Sequence, residues 1–119
     1  MDKNEMEELL NEHLATWSET NPEKRKKAIQ NIYREDIEVI DPFFVISGRL
    51  NLDSYICELQ NKYPGYIFSV SGPSDSHHDI ARLSWQFGPA TKPNAITGQD
   101  IFVISESRIN KLFVFLDIS

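Results

Sequence analysis

The stretch Tyr33-Arg34-Glu35-Asp36-Ile37-Glu38-Val39-Ile40-Asp41-Pro42 reads as a strand in which Ile37, Val39 and Asp41 alternate and share one face. A carboxylate therefore stands where the pattern predicts a core residue. Ionised, it needs a partner or hydrogen-bond donors; unpaired, it tends to take up a proton, and either state can serve acid-base chemistry in an apolar pocket. Asp41 is thus the first candidate functional residue. The competing reading is a strand-ending Asp before Pro42 whose side chain bonds nearby turn amides.

Upstream of this strand the period is helical. Met6, Leu9, Leu10, Leu14 and Trp17 recur every three or four residues, with His13 on the edge of their stripe. Thr20-Asn21-Pro22-Glu23 supplies a cap, a proline suited to the first turn and an acid near the positive end of the helix dipole. This starts a second helix that buries Ala28, Ile29, Ile32 and Tyr33 and turns Lys24, Arg25, Lys26 and Lys27 to water. Downstream, Phe43 to Ile46 form an apolar run expected to cover something, closed by Ser47-Gly48-Arg49. Asn51 is the expected cap of a third helix with Leu52, Tyr55, Ile56 and Leu59 inward, ended by Tyr63-Pro64-Gly65.

From Tyr66 the period becomes two. Tyr66, Phe68 and Val70 share a face, and after Gly72-Pro73-Ser74-Asp75 the run from His77 to Phe87 is expected as one extended strand with Ala81, Leu83, Trp85 and Phe87 together. Strands from Ala95 to Ser105 and from Ile109 to Ile118 follow, joined at Glu106-Ser107-Arg108. In the first of these, Ile96, Gly98, Asp100, Phe102 and Ile104 share a face, so Asp100 repeats the anomaly of Asp41. Two carboxylates facing one cavity push their pKa values apart, so that one can act as a base while the other keeps its proton. The alternative is a structural ion pair of Asp100 with Arg82 or Arg108.

The 119 residues suit a single domain spanning 1–119. Helix, helix, strand, helix and then a meander predict an α+β fold with the helices on one face of a curved sheet. A net charge of -6 argues against nucleic-acid binding, and the one basic cluster, Lys24 to Lys27, fits a solvated helix face. With one cysteine, Cys57, read as a small packed residue, and no apolar run of membrane-spanning length, the expectation is a soluble, cytoplasmic protein. His77 and Asp79 could share an ion, but neighbouring strand residues point to opposite faces and no further His is near. No metal or other cofactor is expected. No phosphate loop or nucleophile elbow is present.

The two-helix opening, the Ile32–Pro42 segment, Gly48-Arg49 before the third helix, and Gly98-Gln99-Asp100-Ile101-Phe102-Val103 followed by Ser107-Arg108-Ile109 together resemble the nuclear transport factor 2-like superfamily. Within it the chain is most similar to the SnoaL-like polyketide cyclases and the ketosteroid isomerases. The resemblance spans essentially the whole chain. It implies a cone-shaped fold of three N-terminal helices on a strongly curved, mainly antiparallel sheet.

For function, the resemblance implies cofactor-independent proton transfer on a cyclic or polyketide-like carbonyl compound, or else a non-catalytic ligand-binding or dimerisation module. Asp41 falls where the isomerases carry the proton-moving Asp. Asp100 falls where they hold a protonated Asp in the oxyanion hole and where the cyclases place an acid-base Asp. The isomerases' first-helix tyrosine is matched by Trp17, whose indole can donate one N–H but cannot act as a phenol, a departure that argues against steroid isomerisation. Trp17, Tyr33, Phe43, Tyr55, Phe68, His78, Phe102 and Phe115 are the candidate residues for contacting an apolar small-molecule ligand, with Tyr33 or Tyr55 as a source of a hydroxyl and His78 at the pocket mouth. An exposed sheet face carrying Leu83, Trp85 or Val103 would be too apolar for water, which predicts a homodimer through the sheet.

Overall fold

A computed structural model describes residues 1–117. Helix α1 (Lys3–Ser18) begins in a reciprocal capping box between Asp2 and Glu5, and α2 (Pro22–Ile32) begins under Asn21, whose side chain accepts from the Glu23 and Lys24 amides. Strand β1 (Tyr33–Ile40) continues directly from α2 and pairs antiparallel with the short β2 (Val45–Ser47). Helix α3 (Arg49–Lys62) starts two residues before the expected cap. Gly48, at φ 87°, takes the N-cap position without a side-chain bond, and Asn51 instead donates to the Ser47 carbonyl from inside the first turn. The reason is the positive φ, which glycine adopts without a steric penalty and which turns the chain sharply out of β2.

The remaining strands are β3 (Ile67–Val70), β4 (Asp75–His77), β5 (Ile80–Gly88), β6 (Ile96–Ser105) and β7 (Arg108–Leu116). They form one sheet in the order β2-β1-β7-β6-β5-β3, with β4 paired to β5. All neighbours are antiparallel except β1 and β7. The expected single strand from His77 to Phe87 is instead a hairpin. The chain reverses at His78 and Asp79, with His78 at φ 53°, and Asp75 comes to face Arg82. The β6–β7 turn uses Glu106 and Ser107, both at positive φ, as a two-residue hairpin with the right strand twist demands. The end of the expected last strand, Ile118, lies outside the described residues. No helix of the described residues is long and apolar enough to cross a membrane.

The core fills the concave side of the sheet. Leu9, Leu10, Leu14 and Trp17 of α1 and Leu52 and Ile56 of α3 pack against Ile37, Val39, Leu83, Trp85, Phe102 and Leu112. This corrects three expectations. Leu83 and Trp85 face the core, so the outward side of the sheet is carried by Ile101, Phe113 and Phe115, aligned through the β5–β6–β7 register with Arg82 and Gln99. Arg25 is buried: its guanidinium reaches Asp53 at 2.6 Å, Gln60 at 3.1 Å and the Glu19 carbonyl at 3.1 Å, tying α2 to α3 and to the end of α1. A buried guanidinium is tolerated only when its donors are met in this way. Cys57 lies on the exposed side of α3.

Candidate functional site

Between the helices and the inner face of the sheet lies a cavity of about 450 Å³, and both Asp41 and Asp100 line it. Its wall is aromatic and aliphatic: Trp17 from α1, Phe43 and Phe44 from the β1–β2 loop, Tyr55 and Tyr63 from α3, Phe68 and Trp85 from the sheet. The apolar run after Asp41 does cover something, since Phe44 packs on Tyr55 with ring centroids 4.5 Å apart. Four of the expected ligand contacts, Trp17, Phe43, Tyr55 and Phe68, are therefore on the wall.

The other four are not. Tyr33 is fully buried behind the wall, and Phe102 is a core residue set edge-on against the His13 ring at 4.9 Å. Phe115 is 61% exposed on the outward face of the sheet, because it is an odd step from the inward Leu112 along β7. His78 occupies the β4–β5 hairpin turn, where its Nδ1 meets that of His77 at 3.1 Å, away from the cavity.

Asp100, in the middle of β6, is 4% exposed, and both its oxygens are engaged. Oδ1 accepts from the Trp85 indole at 2.9 Å and Oδ2 is 2.8 Å from His13 Nε2. Neither expected arginine is its partner: Arg82 faces Asp75 at 3.6 Å and Arg108 reaches the Asn31 carbonyl. Gly98 makes the Trp85 bond feasible. A Cβ there would stand 2.5 Å from the indole ring and 2.4 Å from the Phe115 carbonyl, so only glycine lets the indole lie flat along β6 and point its N–H at the carboxylate two residues on.

The far side of His13 completes a chain. Its Nδ1 lies 2.5 Å from the Tyr33 hydroxyl, which also accepts from the Trp17 indole at 2.9 Å. Donor and acceptor counting fixes the protons. Both indoles can only donate, so the Tyr33 oxygen is already an acceptor and its own O–H must go to His13 Nδ1, the one acceptor within reach among the described residues. His13 then carries its proton on Nε2 and gives it to Asp100. Any other assignment strands the buried Tyr33 O–H, at a cost of about 1–3 kcal/mol. Consistent with this, no buried side-chain polar atom among the described residues lacks a partner. Burial also pushes the Tyr33 hydroxyl well above the usual phenol range, which keeps it a donor.

Asp41 sits just past the end of β1. Its Oδ1 accepts from the Phe43 amide at 3.0 Å, while its own amide bonds the Phe44 carbonyl, an Asx-type turn of the kind the dipeptide suggested. Oδ2 accepts no hydrogen bond from the described residues. Burial raises its pKa above the ordinary 3.8; the Phe43 amide opposes the shift, and the negative charge of Asp100 adds to it. Across the cavity, burial and then the charge of Asp41 push the Tyr55 hydroxyl up to about 12.

No protein-family profile matches the chain, and no curated protein is similar to it in sequence. Solved structures are similar to it. A SnoaL-like family protein of Agrobacterium tumefaciens, a candidate isomerase, shares 26% identity at a TM-score of 0.90, covering 97% of this chain and 99% of that one. The chain has the SnoaL-like, nuclear transport factor 2-like fold. A candidate polyketide cyclase of Sinorhizobium meliloti (16% identity, TM-score 0.74, 92% of this chain and 97% of that one) and a candidate ketosteroid isomerase of Kribbella flavida (13%, 0.74, 98% and 80%) share the architecture. In this SnoaL-like cone, His13, which sequence reasoning left at the edge of a helical stripe, is the hinge of the polar network.

Proposed function

We propose that this protein binds a small molecule in the SnoaL-like cavity and moves a proton on it without a cofactor, the substrate being a cyclic or polyketide-like carbonyl compound. The observation that carries the reading is the pair of carboxylates on one aromatic cavity, of which Asp41 alone keeps an oxygen free of partners among the described residues. Asp41 serves as the base, its raised pKa matching it better to a weakly acidic C–H than a free Asp would be. Tyr55, protonated up to about 12, is the wall hydroxyl next to the charge of Asp41 and donates to the substrate oxygen. Asp100 is a fixed negative charge that holds His13 and Trp85, in place of the acid role its position in the fold implied. The test is solvent deuterium exchange into the α-carbons of a cyclic enone and a β-dicarbonyl compound, followed by NMR. Exchange faster than buffer, falling about 100-fold or more in Asp41→Asn, is expected; exchange at the buffer rate, or unchanged in the variant, refutes the base.

A second copy of the chain is the proposed partner, docked on the outward sheet face where Ile101 stands opposite Phe113 and the exposed Phe115 stands opposite Gln99. Sedimentation should show a dimer that Phe115→Lys converts to monomer; a monomeric wild-type protein ends this proposal.

A further inference from the structure

The cavity is rich in acceptors and poor in donors. The ring N–H groups of its wall are spent inward: Trp17 on Tyr33, Trp85 on Asp100, and His13 on Asp100. The polar groups left on the lining are the second oxygen of Asp41, the Asp100 carboxylate, the Tyr55 and Tyr63 hydroxyls and, open to solvent, the Glu58 carboxylate. The one cationic side chain on the wall among the described residues, Lys62, is exposed and lies over the Tyr63 ring, 5.5 Å from its centroid. Glu58, four residues before Lys62 on α3, is exposed as Lys62 is, so the less exposed part of the lining carries two carboxylates, Asp41 and Asp100, and no cation among the described residues, inside a protein of net charge -6. An anionic ligand would be repelled from such a site.

The aromatic residues add to this asymmetry. Ring faces carry partial negative charge and attract cations, most strongly where water is excluded. Trp17 packs edge-on against both Tyr55 and Phe68, at 5.8 and 5.9 Å between centroids, while Phe68 stacks on Phe87 at 4.1 Å, so the rings around Trp17 stand at angles to one another. Such walls present faces from several directions, the arrangement that encloses quaternary or protonated amines. Burial raises the pKa of both Asp41 and Tyr55, and neighbouring negative charge, that of Asp100 on Asp41 and that of Asp41 on Tyr55, adds to the shift.

We infer that the ligand of this cavity is an organic cation, a cyclic or aromatic compound carrying a protonated or quaternary nitrogen that sits among the aromatic rings and opposite Asp41 and Asp100. The inference rests on the first half of the proposed function, that the cavity takes a ligand, and not on Asp41 acting as a base. Joined to that chemistry, it narrows the substrate to a cyclic carbonyl compound bearing an amine.

The experiment uses an isosteric pair on the full chain: benzyltrimethylammonium and neopentylbenzene, which have the same shape and differ in one unit of charge. Binding is read from tryptophan fluorescence and from the two indole N–H resonances. The ammonium should bind at least about tenfold more tightly than its carbon isostere. That preference should shrink in Asp41→Asn and weaken with added salt. Equal or tighter binding of neopentylbenzene overturns the inference and leaves a neutral-ligand pocket standing. Binding of neither overturns this inference and the ligand-binding reading together. Cation-selective binding without deuterium exchange on carbonyl probes upholds the inference and removes only the base.

Discussion

Asp41 and Asp100 look alike in the sequence, each an acid interrupting an apolar face, yet the fold treats them oppositely. Asp100 lies mid-strand, where no backbone amide is spare, and it is held by two N–H donors from separate elements, α1 and β5. Asp41 lies one residue past its strand, where the chain turns and supplies an amide of its own, so one oxygen is satisfied locally and the other is left for the cavity. The difference teaches that an acid on a core face is two kinds of signal. In a strand's middle it predicts a long-range partner; at a strand's end it predicts a local turn bond and a group available for chemistry.

The largest test of this contrast removes the buried member. Asp100→Leu strands the His13 and Trp85 N–H groups in the core and should cost about 3–5 kcal/mol in urea unfolding. Asp100→Asn, which keeps one acceptor and nearly the same volume, should cost less and keep the fold available for study. In both variants the Trp85 indole proton should shift upfield as its charged acceptor disappears, whereas that of Trp17, bonded to Tyr33, should move less. A loss below about 1 kcal/mol in Asp100→Leu would mean that the carboxylate anchors nothing and that the two acids are not distinct.

Much of this was legible in the sequence because both signals are periodic. The alternation through Ile37, Val39 and Asp41, and through Gly98, Asp100 and Phe102, fixes each acid's face whatever the rest of the chain does. His13 was harder to read. It satisfies the three-and-four spacing from Leu9 and Leu10, but its partners are 20 and 87 residues away, and nothing local announces them. Arg25 was hidden for the same reason: in a run of four basic residues only its helical phase, matching Ile29 and Ile32, marks it as inward. The reversal at His78 and Asp79 lacks the glycine that usually signals a tight hairpin, so nothing in the sequence interrupts the strand period there. Which face of β5 looks inward is undetermined by alternation alone, since Arg82 sits opposite Leu83 and Trp85 and either row could have met the helices. The spacing of Trp85 opposite Gly98 was the available clue, a large ring paired with the one residue that leaves room for it.

The smaller test concerns Asp41, and its sign follows from the direction of its shift. Burial and the Asp100 charge raise the Asp41 pKa in the folded protein above the ordinary 3.8. The folded state therefore holds that proton more tightly than the unfolded chain does. The stabilisation this provides is complete below 3.8 and is lost as pH rises through the folded value. Asn cannot ionise, and its amide oxygen can still accept from the Phe43 N–H. Asp41→Asn should thus match the wild type in thermal stability at acidic pH and gain a small advantage over it near neutrality, with the difference opening across the window just above 3.8. A difference that stays constant with pH, or one in which the wild type gains on the variant as pH rises, would show that the fold does not raise the Asp41 pKa. Asp41 would then have no reason to take a proton from anything in the cavity.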